Sequence, residues 1–140
     1  MFTIGAFAII FNAQGHVLLS HRRDVDMWNL PGGGMESREL PTEAVIREVM
    51  EETGLEVAVE RLVGVYSKVD KDDLVFAFVC KVSGGELRLS DEADEHRYFD
   101  VNALPPNTLQ KQVERIFDAV KDLPAPVFRR QGTPSRAVIG

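Results

Sequence analysis

The chain contains apolar runs of strand length that are separated by short polar or glycine-containing segments. Runs of this kind, rich in Val, Ile and Phe, predict β-strands. They lie at 3–11, 16–21, 28–30, 57–59, 62–66, 74–82 and 96–99. Turn residues at 12–15 and at 71–73 separate neighbouring runs and predict two β-hairpins. A further turn is predicted at 83–85.

Two segments have the periodicity of helices. The first runs from Pro41 to Thr53, because proline suits a first helical turn and Gly54 suits the left-handed position after its end. Leu40, at the cap position, has no side-chain acceptor for the free N–H groups. The second helix follows Asn107, a good capping residue. The apolar sides comprise Val45, Ile46, Val49, Met50 and Thr53 in the first helix, and Leu109, Val113, Ile116, Phe117 and Val120 in the second. Strands and helices in this order predict an α/β fold with helices on both faces of a sheet.

The polar side of the first helix is acidic. Glu48, Glu51 and Glu52 fall together opposite its apolar side, with Arg47 at the border. Like charges three and four residues apart destabilise a helix by about 0.2–0.5 kcal/mol per pair, and the C-terminal half of a helix disfavours anions. The helix alone leaves two explanations open, a solvated acidic face or a site for a hard divalent cation such as Mg²⁺. Because no His or Cys cluster accompanies the glutamates, zinc is disfavoured.

Three glycines just before this helix favour the cation site. The short apolar segment 28–30 leads through Pro31 into Gly32, Gly33 and Gly34. Glycine lets the backbone approach a ligand closely and adopt positive φ. We therefore expect a glycine turn in front of the acidic helix, which is a combination that a solvated surface does not require.

The segment from Gly33 to Leu55 resembles the Nudix box, whose pattern is G-x5-E-x7-R-E-U-x-E-E-x-G-U with U a bulky aliphatic residue. Every fixed position of the pattern is filled. These positions hold Gly33, Glu39, Arg47, Glu48, Val49, Glu51, Glu52, Gly54 and Leu55. The resemblance extends from the segment 15–19 to the segment 97–99, so it covers most of the chain except the C-terminal tail.

The resemblance to the Nudix family implies an α/β/α sandwich with a mixed central sheet. It implies a hydrolase that uses Mg²⁺ or Mn²⁺ to cleave the diphosphate linkage between a nucleoside and another group. Glu48, Glu51 and Glu52 would be the metal ligands, and Glu48 and Glu52 are also the catalytic candidates for deprotonating the attacking water. Arg47 would orient the glutamates through charge-assisted hydrogen bonds. Glu39 would lie near the metal or support the junction between loop and helix.

A further carboxylate is expected from the acidic loop 91–95, because members of the family often supply one from this region. Glu92 and Glu95 are the candidates, and Glu95 is favoured as a catalytic residue because it adjoins the last predicted strand. A solvated acidic loop is the alternative explanation.

Substrate-binding residues are expected on both sides of the apolar segment 28–30. Arg22 and Arg23 follow the second predicted strand, and arginine is suited to bidentate recognition of phosphate. The backbone of Gly33 and Gly34 is the other candidate, since it lacks side chains that would keep a ligand at a distance.

The length of 140 residues fits one domain. We expect the domain to occupy residues 1–123 and an irregular tail, rich in proline, arginine and small residues, to occupy 124–140. The net charge of −6 argues against a nucleic-acid-binding surface. It does not argue against a small nucleotide substrate, because a bound metal supplies local positive charge.

The single cysteine and the N-terminal segment bear on localisation. Cys80 has no partner for an internal disulfide and lies in an apolar run, so we expect a buried structural thiol in a cytoplasmic protein. Segment 2–11 is apolar, but it has no basic leader and is too short to span a bilayer. No membrane association is expected.

The expected reaction converts nucleoside triphosphates or modified nucleotides to a monophosphate and pyrophosphate. The alternatives are hydrolysis of ADP-ribose or dinucleoside polyphosphates, and a non-catalytic domain that senses nucleotides. The complete set of glutamates at the fixed positions argues against the sensor. The loops outside 33–55 carry no signature of substrate choice, and a homodimer is left open.

Overall fold

A computed structural model describes residues 1–132 of the chain. It contains eight strands and two helices within these residues. In chain order they are β1 (Thr3–Ile10), β2 (Val17–Arg22), β3 (Trp28–Asn29), β4 (Gly32–Gly34), α1 (Pro41–Thr53), β5 (Leu55–Lys68), β6 (Asp73–Gly85), β7 (Ala93–Phe99), α2 (Gln110–Lys121) and β8 (Val127–Gln131).

The strands form two sheets. The larger sheet has the order β4-β1-β6-β5-β8, in which β1 is parallel to β6 and β5 is parallel to β8, while the other two pairings are antiparallel. The smaller sheet has the order β3-β2-β7 and is antiparallel throughout. The larger sheet is therefore mixed, as expected.

Each face of the larger sheet carries its own hydrophobic cluster. Successive residues of β1 point to opposite faces, as they must in a strand. Ile10 packs in one cluster with Val45 and Val49 of α1, whereas Ile9 packs in the other with Ile116 of α2. The sheet thus lies between the two helices, which confirms the predicted α/β/α sandwich.

Several predicted details of the sheets were wrong. The turn at 12–15 is present, with the Asn12 N–H donating to the His16 carbonyl at 2.9 Å. The strands beside it do not form a hairpin, because β1 pairs with β4 and β6 while β2 pairs with β3 and β7, leaving one bridge between Phe11 and Val17. The strands predicted at 57–59 and 62–66 are one strand, and 83–85 continue β6. The predicted hairpin around 71–73 is confirmed by the antiparallel β5–β6 pair.

The prediction of an irregular tail was wrong for residues 127–131. They form β8 and extend the larger sheet through parallel pairing with β5. Arg129 further fixes this strand, since its guanidinium donates to both carboxylate oxygens of Asp118 on α2 at 2.8 and 2.9 Å. The domain boundary at 123 stays a prediction, and residues 133–140 lie outside the described part of the chain.

The helix boundaries differ in how well the sequence predicted them. α1 begins at Pro41 and ends before Gly54, which has a φ of 82°, as expected. The Leu40 N–H donates to the Glu43 carboxylate at 2.8 Å, so a side chain inside the helix secures its start. The predicted cap of α2 was wrong, because Leu109 takes that position and the Asn107 amide instead donates to the Asp26 carbonyl at 2.9 Å.

Candidate active site

The acidic side of α1 lies directly against β4. The three glycines form this strand, paired antiparallel with β1, rather than the expected turn. A Cβ atom on Gly33 would lie 2.6–2.7 Å from the carboxylate atoms of Glu48, whereas a Cβ atom on Gly34 would meet no heavy atom within 4 Å. Gly33 is therefore required for the close approach of strand and helix, which places the Glu48 carboxylate beside the sheet.

Arg47 connects four parts of the site. Its Nε donates to Glu39 at 2.6 Å, its Nη1 to Glu51 at 3.1 Å and to Glu48 at 3.2 Å, and its Nη2 to the Gly34 carbonyl at 3.0 Å. The guanidinium holds the pKa of Glu39 below its usual value. These contacts agree with the orienting role that the sequence predicted for Arg47, and they place Glu39 at the loop–helix junction.

Glu52 is the most deeply buried of the three glutamates. It is 7% exposed, and its nearest donor is the Gly32 N–H at the long distance of 3.4 Å. Burial raises the pKa of Glu52 to about 7 and also raises the pKa of Glu48. Since a buried carboxylate without a close partner is unfavourable, the arrangement costs stability unless a cation binds there.

The three glutamates line a cavity of about 170 Å³. Its wall consists of Glu48, Glu51, Glu52, Ser90, Asp91 and Glu92. All of these side chains offer oxygen atoms, and five of the six are carboxylates. The loop that precedes β7 therefore closes the acidic side of α1 from the other direction.

The choice of Glu95 over Glu92 does not agree with this geometry. Glu92 lines the acidic cavity, and its charge contributes to the raised pKa of both Glu48 and Glu52. Glu95 lies within β7, pairs with Arg97 and is not part of the cavity wall. The sequence places both residues in one acidic run, and only the start of β7 at Ala93 separates loop from strand.

A second, larger cavity of about 430 Å³ adjoins the acidic one, and Glu52, Asp91 and Glu92 line both. Arg22 and Arg23 line the larger cavity, as expected for substrate-binding residues. Each arginine also has a protein partner. Arg22 pairs with Asp24 at 2.6 Å, and the Arg23 Nε donates to the Ser90 carbonyl at 2.8 Å.

Two amide side chains of the larger cavity, those of Gln112 and Asn29, were not predicted from the sequence. The Gln112 side chain, 5% exposed, accepts the Leu30 N–H at 2.6 Å and so joins α2 to the segment before β4. The Asn29 Oδ1 is buried and has no hydrogen-bond partner among residues 1–132. Nothing in the sequence distinguishes these amides from others, since their role depends on the distant segments that meet them.

The oxygen donors fit Mg²⁺ or Mn²⁺ as a partial site. Among residues 1–132, no three carboxylate, imidazole or thiol groups converge tightly enough to form a ready-made cage. Mg²⁺ keeps several waters and is commonly held by one or two carboxylates together with substrate phosphates. The acidic cavity meets that requirement, because it supplies hard oxygen donors and opens beside the larger cavity.

At the rim of the larger cavity, His21 bridges two aspartates. His21 Nε2 contacts Asp26 at 2.8 Å and Nδ1 contacts Asp94 at 2.7 Å, so both ring nitrogens donate when the ring is protonated. These bonds raise the pKa of His21 above 6.5, its ordinary value. Because the folded-state pKa is raised, the stabilisation is complete below pH 6.5 and is lost as the pH rises through the folded-state pKa.

We expect His21→Phe to lower the free energy of unfolding more at about pH 5.5 than at about pH 8.5, since only the charged ring makes both bonds. Phenylalanine keeps the edge-on packing against Trp28, whose ring centroid lies 5.1 Å away. Urea unfolding at both pH values measures the difference. His16→Gln is the control, because the His16 side chain makes no hydrogen bond among the described residues. An equal loss at both pH values would contradict the charged bridge.

The fold and the site together define a class of protein. A mixed sheet lies between two helices, and Arg47 contacts the glutamates of α1, as the Nudix resemblance implied. The glycines beside these glutamates form a strand in place of the expected turn. The chain matches the NUDIX domain model over residues 1–120, and it belongs to this family. The predicted membership of the Nudix family is thus confirmed.

Individual relatives differ in what their names state. A Bacillus subtilis protein provisionally named 8-oxo-dGTP diphosphatase is 40% identical over 86 residues, which are 61% of this chain and 58% of that one. An ADP-ribose pyrophosphatase of Methanocaldococcus jannaschii is 48% identical over 80 residues, 54% of this chain and 47% of that one. The matches thus span about half the length of these relatives.

The fold also has a solved counterpart. A NUDIX hydrolase from Nitrosomonas europaea superposes with a TM-score of 0.82 at 21% identity, covering 94% of this chain and 79% of that one. At this identity the likeness shows the fold alone. Neither helix within residues 1–132 is long and apolar enough to cross a membrane. The cytoplasmic localisation and the homodimer stay predictions.

Proposed function

We propose that the chain is a Mg²⁺-dependent pyrophosphohydrolase that cleaves the diphosphate linkage of nucleoside diphosphate derivatives. The favoured substrates are nucleoside triphosphates or modified nucleotides, and the products are a monophosphate and pyrophosphate. One observation carries this proposal: the acidic cavity beside α1 shares a wall with a cavity of about 430 Å³ lined by Arg22 and Arg23. The two cavities together have room for a cation in the acidic cavity and for an anionic substrate that extends across both cavities.

The charged residues in and around the acidic cavity share three tasks in this proposal, which are metal binding, proton transfer and phosphate binding. Glu48, Glu51 and Glu52 would hold the metal, and Arg47 positions the first two of them. A bound Mg²⁺ would neutralise the diphosphate and favour attack by water at phosphorus. Glu52 and Glu92 face the same cavity, and a carboxylate there accepts the proton of the attacking water. Arg22 and Arg23 bind phosphate oxygens.

The named relatives support the reaction class and do not select a substrate. Their names refer to 8-oxo-dGTP in one case and to ADP-ribose in another. Hydrolysis of ADP-ribose or of dinucleoside polyphosphates uses the same acidic cavity and is the second candidate. A nucleotide sensor is the third, and it would leave the five carboxylates around one small cavity without a use.

A substrate panel tests the proposal. Nucleoside triphosphates, 8-oxo-dGTP, ADP-ribose and a dinucleoside tetraphosphate are incubated with the protein and Mg²⁺, with EDTA as the parallel control. Release of pyrophosphate and a monophosphate, abolished by EDTA, supports the favoured substrates. Release of two monophosphates from ADP-ribose favours the second candidate. Binding of nucleotides without any hydrolysis would refute the enzyme and support the sensor.

The contact between Gly33 and Glu48 gives a more specific test. We expect Gly33→Ala to lower hydrolysis on the order of 100-fold, because the new Cβ would lie 2.6–2.7 Å from the Glu48 carboxylate and displace it. Gly34→Ala adds the same methyl group where no heavy atom lies within 4 Å, and its activity should change far less. Steady-state hydrolysis and metal affinity are measured for both. Equal losses would contradict this role of Gly33.

A further inference from the structure

A third cavity, of about 440 Å³, lies beside the cavity of Arg22 and Arg23 and has the opposite charge to the acidic one. It is lined by Phe7, Lys68, Val75, Leu109, Gln110, Lys111, Gln112 and Arg115. No carboxylate belongs to this lining, although the whole chain has a net charge of −6. Phe7, Leu109 and Gln112 also line the cavity of Arg22 and Arg23, so the two spaces adjoin. We name the third space the basic cavity.

Arg115 is the buried cation of the basic cavity. Its side chain is 3% exposed, and within residues 1–132 no carboxylate lies within 4.0 Å of its guanidinium. It donates one bond, from Nε to the Gln131 amide oxygen at 3.0 Å, and lies over the rings of Phe7 and Tyr66 at 5.6 and 5.4 Å. The Glu114 carboxylate is bonded instead to the Gln131 amide nitrogen. Most of the donors of Arg115 are thus left for another partner.

Burial without an ionic partner is costly for a guanidinium. Desolvation is the largest influence on Arg115 and lowers its pKa to about 10. Proteins normally pair a buried charge or bind an ion against it. Tyr66, the neighbouring aromatic residue, already donates its hydroxyl to Asp118 at 2.9 Å and so offers no charge compensation. An anion in the basic cavity would supply the missing partner.

The start of α2 adds to the positive potential of the basic cavity. Leu109 is its N-cap and has no side-chain hydrogen bond, and the first turn contains no acidic residue. The free N–H groups and the dipole of a helix N-terminus favour anions. Lys111 lies in this turn and makes no ion pair among the described residues, whereas Lys68 is already paired with Asp73 at 2.8 Å. Arg115 and Lys111 are therefore the main cations available to a ligand.

We propose that the basic cavity is a phosphate-binding subsite, in which Arg115, Lys111 and the first turn of α2 hold a phosphate group. This group is additional to the diphosphate that is cleaved beside α1. Its source is either a further phosphate on the substrate, which would rest on the proposed function, or a separate phosphate ion. The shared wall of Phe7, Leu109 and Gln112 allows one extended ligand to occupy both cavities.

Titration with inorganic phosphate in EDTA tests the subsite without any catalysis. Calorimetry on the full chain should detect binding, and Lys111→Gln should weaken it about tenfold, equivalent to about 1.4 kcal/mol. Lys121→Gln is the matched control, because it removes the same charge from the same helix at a side chain that is 58% exposed. The Lys121→Gln variant should bind phosphate with the affinity of the wild type. Arg115→Lys is a second variant and should also bind more weakly.

Pairs of substrates that differ by one phosphate identify its source. NADPH and NADH form one pair, and coenzyme A and its dephospho form another. If the substrate supplies the phosphate, the phosphorylated member of a pair should have a kcat/KM about tenfold higher, and Lys111→Gln should remove that preference. If phosphate binds but neither pair is discriminated, the subsite stands and its ligand is a separate phosphate.

The subsite and the proposed hydrolase fail independently of one another. Wild-type protein that does not bind phosphate in EDTA, or a Lys111→Gln variant that binds as well as the Lys121→Gln control, overturns the subsite, whatever the enzyme hydrolyses. Phosphate binding that depends on Lys111, in a protein that hydrolyses no nucleotide, upholds the subsite and refutes the proposed function.

Discussion

Glu52→Gln should lower hydrolysis by roughly 100-fold or more while leaving the fold intact, since positioned carboxylates contribute about 10²–10⁴-fold in proton transfer. Glu52 lines both the acidic cavity and the cavity of Arg22 and Arg23. Asp91 and Glu92 of the loop before β7 also line both cavities, and Glu52 is the carboxylate of α1 that lies where the proposed cation and the proposed substrate meet. The amide keeps the shape of the side chain and removes the charge.

The same substitution should not destabilise the protein in EDTA. Glu52 is 7% exposed, and its nearest donor lies 3.4 Å away at the Gly32 N–H. A neutral amide is easier to bury than a carboxylate with so weak a partner. Thermal unfolding should therefore give a melting temperature no lower than that of the wild type. Loss of activity together with retained stability distinguishes a functional carboxylate from a structural one.

Glu60→Gln is the charge-matched control for Glu52→Gln. Glu60 is exposed on β5 and does not line the acidic cavity. The Glu60→Gln variant should be as active as the wild type. Calorimetric titration with Mg²⁺ gives the second measurement. The Glu52→Gln variant should bind Mg²⁺ more weakly than the wild type, because it lacks the charge of one proposed metal ligand. If the Glu52→Gln variant had the activity and the Mg²⁺ affinity of the wild type, the assignment of Glu52 as a metal ligand and catalytic carboxylate would be wrong.

The sequence predicted α1 well because the signals for a helix are local. Pro41 is the first residue of the helix, and Gly54 is the residue directly after its end. The spacing of Glu48, Glu51 and Glu52 on a helix places them together whatever the rest of the chain does. Such features require only the geometry of one helix, so they can be derived without a structure.

The pairing of strands was harder to predict because it depends on distant residues. The turn after β1 resembles that of a hairpin, yet β1 pairs with β6, more than sixty positions along the chain. β8 lies in a segment rich in proline and arginine, and it is a strand because the edge of β5 is free to pair with it. The strand propensity of a segment does not indicate which other strand it pairs with.

In the candidate site, too, the features set by local sequence were predicted, and those that depend on distant residues were not. Residues of the box could be assigned from their spacing, whereas the loop carboxylate could not, because Glu92 and Glu95 differ only in their position relative to the start of β7. The burial of Arg115 could not be predicted from the sequence either. The sequence shows a charged residue on an amphipathic helix, and its desolvation follows from β8, which supplies Gln131.

Arg47→Lys should lower both activity and stability, in contrast to Glu52→Gln. The guanidinium reaches Glu39, Glu48, Glu51 and the Gly34 carbonyl from three separate nitrogen atoms. A lysine ammonium keeps the charge but is a single point, so it cannot make these contacts together. We expect hydrolysis to fall on the order of 100-fold, because Glu48 and Glu51 lose the group that positions them.

The expected loss of stability is about 2 kcal/mol, the size of a hydrogen bond between charged groups in a partly buried position. Urea unfolding measures it, with Arg61→Lys as the control, because Arg61 donates to the Ala119 carbonyl and is more exposed. Combining Arg47→Lys with Glu39→Gln should give less than the sum of the two losses, since both remove the 2.6 Å contact. Additive losses would mean that Arg47 and Glu39 act independently, and Arg47 would no longer explain how the acidic side of α1 is held.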